Sequence, residues 1–130
     1  MRGSFWGKKL IVDLTAGTHT VEEIPETTAE LYLGQKGLGA RIIMEDVPPE
    51  TDPFSPDNEL VFSTGVMTGT IVSCSAKLAI SAKSPLTGTI TDGSVGGHAG
   101  AELKYAGYDV LVVKGRAPEL SYIYISPDRV

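Results

Sequence analysis

The residues best suited to chemistry in this 130-residue chain fall in one stretch, Lys77 to Gly115, which holds a lone cation, a glycine-rich run and a histidine. Lys77 opens a strand-like alternation that lasts to Lys83. Ser84 to Gly88 reads as a turn, Thr89 to Asp92 as the return, and Gly93-Ser94-Val95-Gly96-Gly97 as a loop leading into a short helix and a buried strand. A glycine-rich loop that enters a helix presents unpaired backbone N–H groups, which suit a phosphate or another anion. The same glycines equally serve to turn the backbone and let it pack closely against a sheet. The run SVGGHAG lacks both the GxGxxG of a dinucleotide site and the Gly-Lys-Ser/Thr ending of a Walker loop.

The other polar candidates divide in the same way. Lys77 can point into a cleft and neutralise phosphate, or can be a solvated residue at a strand end. His98 is a residue type suited to acid–base work or to binding a metal, but no second histidine or carboxylate stands at ligand spacing beside it, so a polar residue at a helix start is the simpler reading. Cys74 precedes Lys77 by three positions, which would favour a thiolate if the two met, while a small buried core residue is the commoner fate. His19 reads as a surface residue. Glu102, Lys104 and Asp109 are expected to be helix-face and turn charges.

These residues have to be positioned by ordinary elements. Leu10 to Leu14 and His19 to Ile24 form a hairpin about Thr15-Ala16-Gly17. Thr28 is placed to cap a short helix over Ala29 to Leu33 that Gly34 stops. A second helix, Leu38 to Val47, spaces Leu38, Ile42 and Ile43 along one face and ends at Pro48-Pro49. Pro48 to Asn58 is an ordered surface connection, Glu59 to Thr64 a strand, and Val66 to Ser75 an extended loop of small residues. Tyr122 to Ile125 reads as a final strand. Strands outnumber helices and do not alternate regularly with them, which predicts an α+β domain.

Composition narrows the function. One domain of this length buries roughly two-thirds of its unfolded surface, so residues 1–130 are expected to form one unit. A net charge of −5 offers no field to draw in a nucleic acid. The single cysteine excludes an internal disulfide and any cysteine-held cluster within the chain, and points to a reducing, cytoplasmic setting. No apolar run is long enough to span a bilayer.

The segments KSPLTGTITDGSVGGHAGAELKYAGYDVLVVKGRAPELSYIYI, DPFSPDNELVFSTGVMTGT and YLGQKGLGARII resemble the N-terminal domain of the tungsten-pterin aldehyde ferredoxin oxidoreductase family, and the likeness runs from Trp6 to Ile125. The resemblance implies two β-sheets with short helices, forming a base under a bis-pterin cofactor of tungsten or molybdenum whose phosphates a magnesium ion bridges. By motif position it implies that Lys77 stands where the family has a pterin-contacting arginine, Ser94 where an asparagine helps to hold magnesium, and Gly96 where the backbone meets the cofactor, with Gly93 and Gly97 beside it. Lysine keeps the charge of arginine without its bidentate fork; serine keeps a backbone carbonyl for the metal. The family oxidises aldehydes to carboxylic acids and passes electrons through a [4Fe–4S] cluster to ferredoxin. The cysteines and acid–base residues for that chemistry lie in C-terminal domains, so the implied partners are those domains or a separate subunit, and ferredoxin through the complete enzyme. The chain alone is expected not to catalyse. Uncovered, its cofactor-facing surface would favour a homodimer. The competing expectation is a structural or interaction module that kept the fold and lost the cofactor.

Overall fold

The computed structural model describes residues 4–130. It comprises β1 (Lys8–Asp13), β2 (Thr18–Glu23), α1 (Glu26–Tyr32), α2 (Gln35–Asp46), β3 (Glu59–Thr64), β4 (Leu78–Lys83), β5 (Ile90–Val95), α3 (Ala99–Tyr105) and β6 (Val110–Lys114). The α+β class holds. Among the described residues, however, the strands form one six-stranded sheet, ordered β2-β1-β6-β3-β4-β5, rather than the two sheets implied by the resemblance. Only β1 and β6 run parallel; every other neighbouring pair is antiparallel.

Local chemistry accounts for most element ends. The β1–β2 turn forms as expected, with the Asp13 carboxylate accepting from the Thr15 and Ala16 amides at 2.9 and 3.0 Å. Helix α1 starts earlier than its sequence suggests: Pro25, not Thr28, is the N-cap, and its carbonyl accepts from Thr28 and Ala29. Proline presets a backbone angle compatible with a helix start and has no N–H to leave unsatisfied. Helix α2 starts at Gln35, earlier than the expected Leu38, and includes Gly37, set against the Tyr32 carbonyl, and Gly39, set against the sheet. A Cβ at Gly39 would come within 2.4 Å of the Ser81 hydroxyl.

The register sorts the sheet into two faces. Val61, Val110 and Val112 face α2 and pack with Leu38, Ile42, Ile43, Val47 and Ile24 in the main core. A fully buried aliphatic side chain of this kind contributes about 2 kcal/mol. The other face carries Leu10, Val12, Phe62, Leu78 and Leu111. Here α3 approaches through Gly100, where a Cβ would meet Thr68 at 3.2 Å, as its glycine within a helix suggests. Tyr122 to Ile125 does not form the expected strand. Both neighbours of the central strands are already taken, and Ile123 and Tyr124 instead line a cleft with Phe62, Leu78 and Leu111.

Four charged residues are buried among those described: Glu59, Lys83, Lys104 and Asp109. Lys104 and Asp109, expected on a helix face and in a turn, are 3% and 0% exposed and form an ion pair. Lys104 Nζ also donates to the Ser4 carbonyl at 2.6 Å and lies 5.0 Å from the Phe5 ring centroid. Asp109 Oδ2 accepts from the amides of Gly7 and Lys8 at 2.7 and 3.2 Å. Glu59 is 9% exposed, and its Oε2 has no hydrogen-bond partner among the described residues. Burial, reinforced by the nearby Asp46 carboxylate and by Glu22, pushes the Glu59 carboxyl above its ordinary range despite Lys114 and Lys9.

Asp109→Ala leaves an ammonium buried without its partner and should lower the unfolding free energy by about 3 to 5 kcal/mol in urea titrations; a change within the scatter of surface mutants would remove the pair from the stabilising framework. For Glu59, a raised folded-state pKa makes its contribution to stability greatest at acid pH, and that contribution is lost as pH rises through the folded value. Glu59→Gln should therefore raise the melting temperature at pH 7, and the gap from the parent chain should close as pH falls towards 4. A gap that widens on acidification would refute this sign.

Candidate functional site

The antiparallel pairing of β4 and β5 decides which candidates meet. The ladder runs from Lys83↔Ile90 to Leu78↔Val95, so Lys77 precedes and Gly96 follows its last pair at the same end of the two strands. Gly93 to Val95, expected as loop, belong to β5 and pair with Ile80, Ala79 and Leu78. Glycine is tolerated there because β5 is an edge strand with exposed residues throughout. The open segment is thus shorter than its glycine content suggests, and comprises Gly96, Gly97 and His98 ahead of α3. Nothing lies within 4 Å of a Cβ built on Gly93, Gly96 or Gly97, and Gly97 has φ +97.

Ser94 is opposite Ala79 and shares its strand face with Asp92, whose carboxylate pairs with Lys36 of α2 at 2.6 Å. Lys77 is exposed and, among the described residues, has no carboxylate partner. This end of the sheet therefore joins an uncommitted cation, an open glycine backbone and an exposed hydroxyl. Such a set suits an anion with several oxygen atoms. His98 is the N-cap of α3 without a side-chain cap bond, and His19 is exposed on β2. No described group of three acidic, histidine or cysteine residues could hold a metal ion.

A cleft of about 330 Å³ adjoins Lys77, and its construction depends on residues that sequence reasoning passed over. Gln35 Nε2 donates to the Lys77 carbonyl at 3.0 Å, and Thr68 Oγ1 donates to the same oxygen at 3.2 Å while accepting from the Gly65 amide. Ser63 Oγ donates to the Gln35 carbonyl at 2.6 Å. Leu33, Gln35 and Cys74 are the non-glycine residues found in the left-handed region among those described, with φ of 56, 47 and 59. All three line this cleft. Each such residue costs of order 1 kcal/mol or more, and strain of this sort is held only where the surroundings enforce it. Beside Leu33 and Gln35 the bridge between Gly34 and Gly65 does so: a Cβ at Gly34 would stand 2.4 Å from the Thr64 carbonyl. The signal available in the sequence was the glycine spacing around Gln35 and Thr68. Cys74, expected in the core, is exposed in the cleft's rim loop.

The model of the aldehyde ferredoxin oxidoreductase N-terminal domain matches residues 9–130. A tungsten-containing aldehyde ferredoxin oxidoreductase of Pyrococcus horikoshii is 43% identical over 97% of this chain and 21% of its own length. The WOR-like subunit of an aliphatic sulfonate oxidoreductase from Pyrococcus furiosus is 32% identical over 95% of this chain and 20% of its own length. Among solved structures, the active-site complex of benzoyl coenzyme A reductase with 1,5-dienoyl-CoA superposes with a TM-score of 0.95 and 41% identity, covering 99% of this chain and 20% of that one. The chain thus spans about a fifth of the length of the relatives it matches.

The position of Cys74 is directly measurable. Its thiol should react with iodoacetamide in the native chain about as fast as in denaturant; strong native-state protection would return it to the interior.

Proposed function

The chain belongs to the aldehyde ferredoxin oxidoreductase family through its N-terminal domain, and on that premise we propose that it binds the phosphates and pterin of a tungsten cofactor, or its molybdenum counterpart, as one domain of a larger enzyme. The observation that supports this is the β4–β5 ladder, whose last pair, Leu78↔Val95, is preceded by Lys77 and followed by Gly96. The donor set agrees with the group: a cation without a carboxylate partner, and glycines whose missing side chains leave room for a ligand against the main chain.

Lys77 neutralises a cofactor phosphate as a point charge, and its main chain is pinned by Gln35 and Thr68 so that the position is set before binding. Gly96, with Gly93 and Gly97 beside it, lets the cofactor approach the backbone. Ser94 would offer its backbone carbonyl to magnesium, and among the described residues no cluster of acidic ligands accompanies it. When bound, the cofactor supplies the metal-centred redox chemistry of aldehyde oxidation to a carboxylic acid. This domain orients it and offsets its charge. The acid–base residues, the [4Fe–4S] cluster and the surface for ferredoxin belong to further domains or a partner subunit, in a cytoplasmic enzyme.

Co-expressed with the remainder of its enzyme, the chain should co-purify with tungsten and pterin, measured by elemental mass spectrometry and by fluorescence of the oxidised pterin. Lys77→Ala should weaken retention about 10- to 100-fold, as expected for a lost charge-assisted contact, whereas Lys77→Arg should preserve it. Equal retention in all three would leave Lys77 outside the site, and a stable complex without pterin would favour a module that lost its cofactor.

A further inference from the structure

At the opposite end of β3 from Lys77, and on the face covered by α2, lies a second cleft of about 820 Å³. Asp13, Asp46, Glu50, Asp52, Asp57 and Glu59 all line it, against one lining base, Lys114. Helix α2 runs into this cleft with its C-terminus, carries Asp46 as its last residue and has no basic side chain in its last turn. The negative end of the helix therefore adds to the carboxylates instead of opposing them. Nearby bases are largely committed. Lys9 pairs with Glu22 at 2.9 Å and reaches Asp46 only at 3.9 Å, while Lys83 Nζ is held by the carbonyls of Pro49 and Thr51.

The second observation is Glu59 itself. Its side chain lines the cleft, it is more than nine-tenths buried, and Oε2 meets neither a donor nor an acceptor among the described residues. A buried carboxylate oxygen left this way costs stability unless something supplies a donor. A bare metal ion is a poor candidate, since no three of the acidic groups converge closely enough to ligate one. Carboxylates spread along a cleft instead match a cation whose charges are themselves spaced along a chain.

We propose that this cleft binds a linear organic polycation of the diamine or polyamine class, with Glu59 receiving one ammonium group at its inner end and Asp46 lying over it. The ammonium supplies the missing donor to Glu59, and the remaining charges meet the carboxylates nearer the rim. The assignment is independent of the cofactor site, whose residues lie at the other end of the sheet.

Isothermal titration calorimetry of the full chain with spermidine, at fixed ionic strength, tests this. Saturable one-site binding is expected, weakened about tenfold or more by Glu59→Gln and also weakened by Asp46→Asn, a change at an exposed residue that keeps the fold available should the first variant misfold. Magnesium chloride at matched ionic strength should neither saturate the site nor displace spermidine. No saturable heat, unchanged affinity in the variants, or loss of binding in sodium chloride at matched ionic strength would overturn the proposal; saturable competition by magnesium would reassign the cleft to a metal.

Discussion

The carboxylate of Asp109 joins parts of the chain that are about a hundred residues apart, and the arrangement of the sheet's centre depends on it. It neutralises Lys104 at the end of α3 and accepts from Gly7 and Lys8 at the start of β1. The main chain of the same residue accepts from both the amide and the hydroxyl of Thr64, the last residue of β3, and its amide donates to the Lys8 carbonyl. Three strand ends and a helix are thus tied at one buried point. The lysine is satisfied in turn by the Ser4 carbonyl and shielded by Phe5, and Trp6 donates to the Lys104 carbonyl at 2.8 Å. Such a pair is costly to desolvate, and stabilises only when every donor and acceptor finds a partner.

From this point the sheet extends unevenly. Towards β4 and β5, Gly39 lets α2 lie almost on Ser63 and Ser81, and the close approach sets the α1–α2 junction against Gly65. The left-handed backbone at Leu33 and Gln35 flanks that contact. Rigidity at the Lys77 end therefore comes from main-chain packing of glycines and serines. A site assembled in this way can hold a ligand's position while presenting few side chains of its own.

The two ends of the sheet differ in charge. One end exposes Lys77 beside open glycines; the other gathers carboxylates around the C-terminus of α2 and buries Glu59 among them. A net charge of −5 conceals this division. Averaged composition argues against a polyanionic macromolecule but says nothing of a small anion at one end or a small cation at the other.

The sequence by itself determined what depends on neighbours along the chain. The β1–β2 hairpin, the α2 stripe of Leu38, Ile42 and Ile43, strand β3 and the α+β class all follow from short-range periodicity and turn chemistry. The motif spacing around Lys77 likewise carried the family. Tertiary structure decided whatever required a partner far off in sequence: that Gly93 to Val95 join an edge strand, that Ile123 and Tyr124 line a cleft instead of adding a strand, that Lys104 and Asp109 leave water together, and that Cys74 does not. Glycine and charged residues have weak local preferences, so their fate is set by whether a distant segment offers a ladder, a counter-charge or a void. That information resides in the strand order and register.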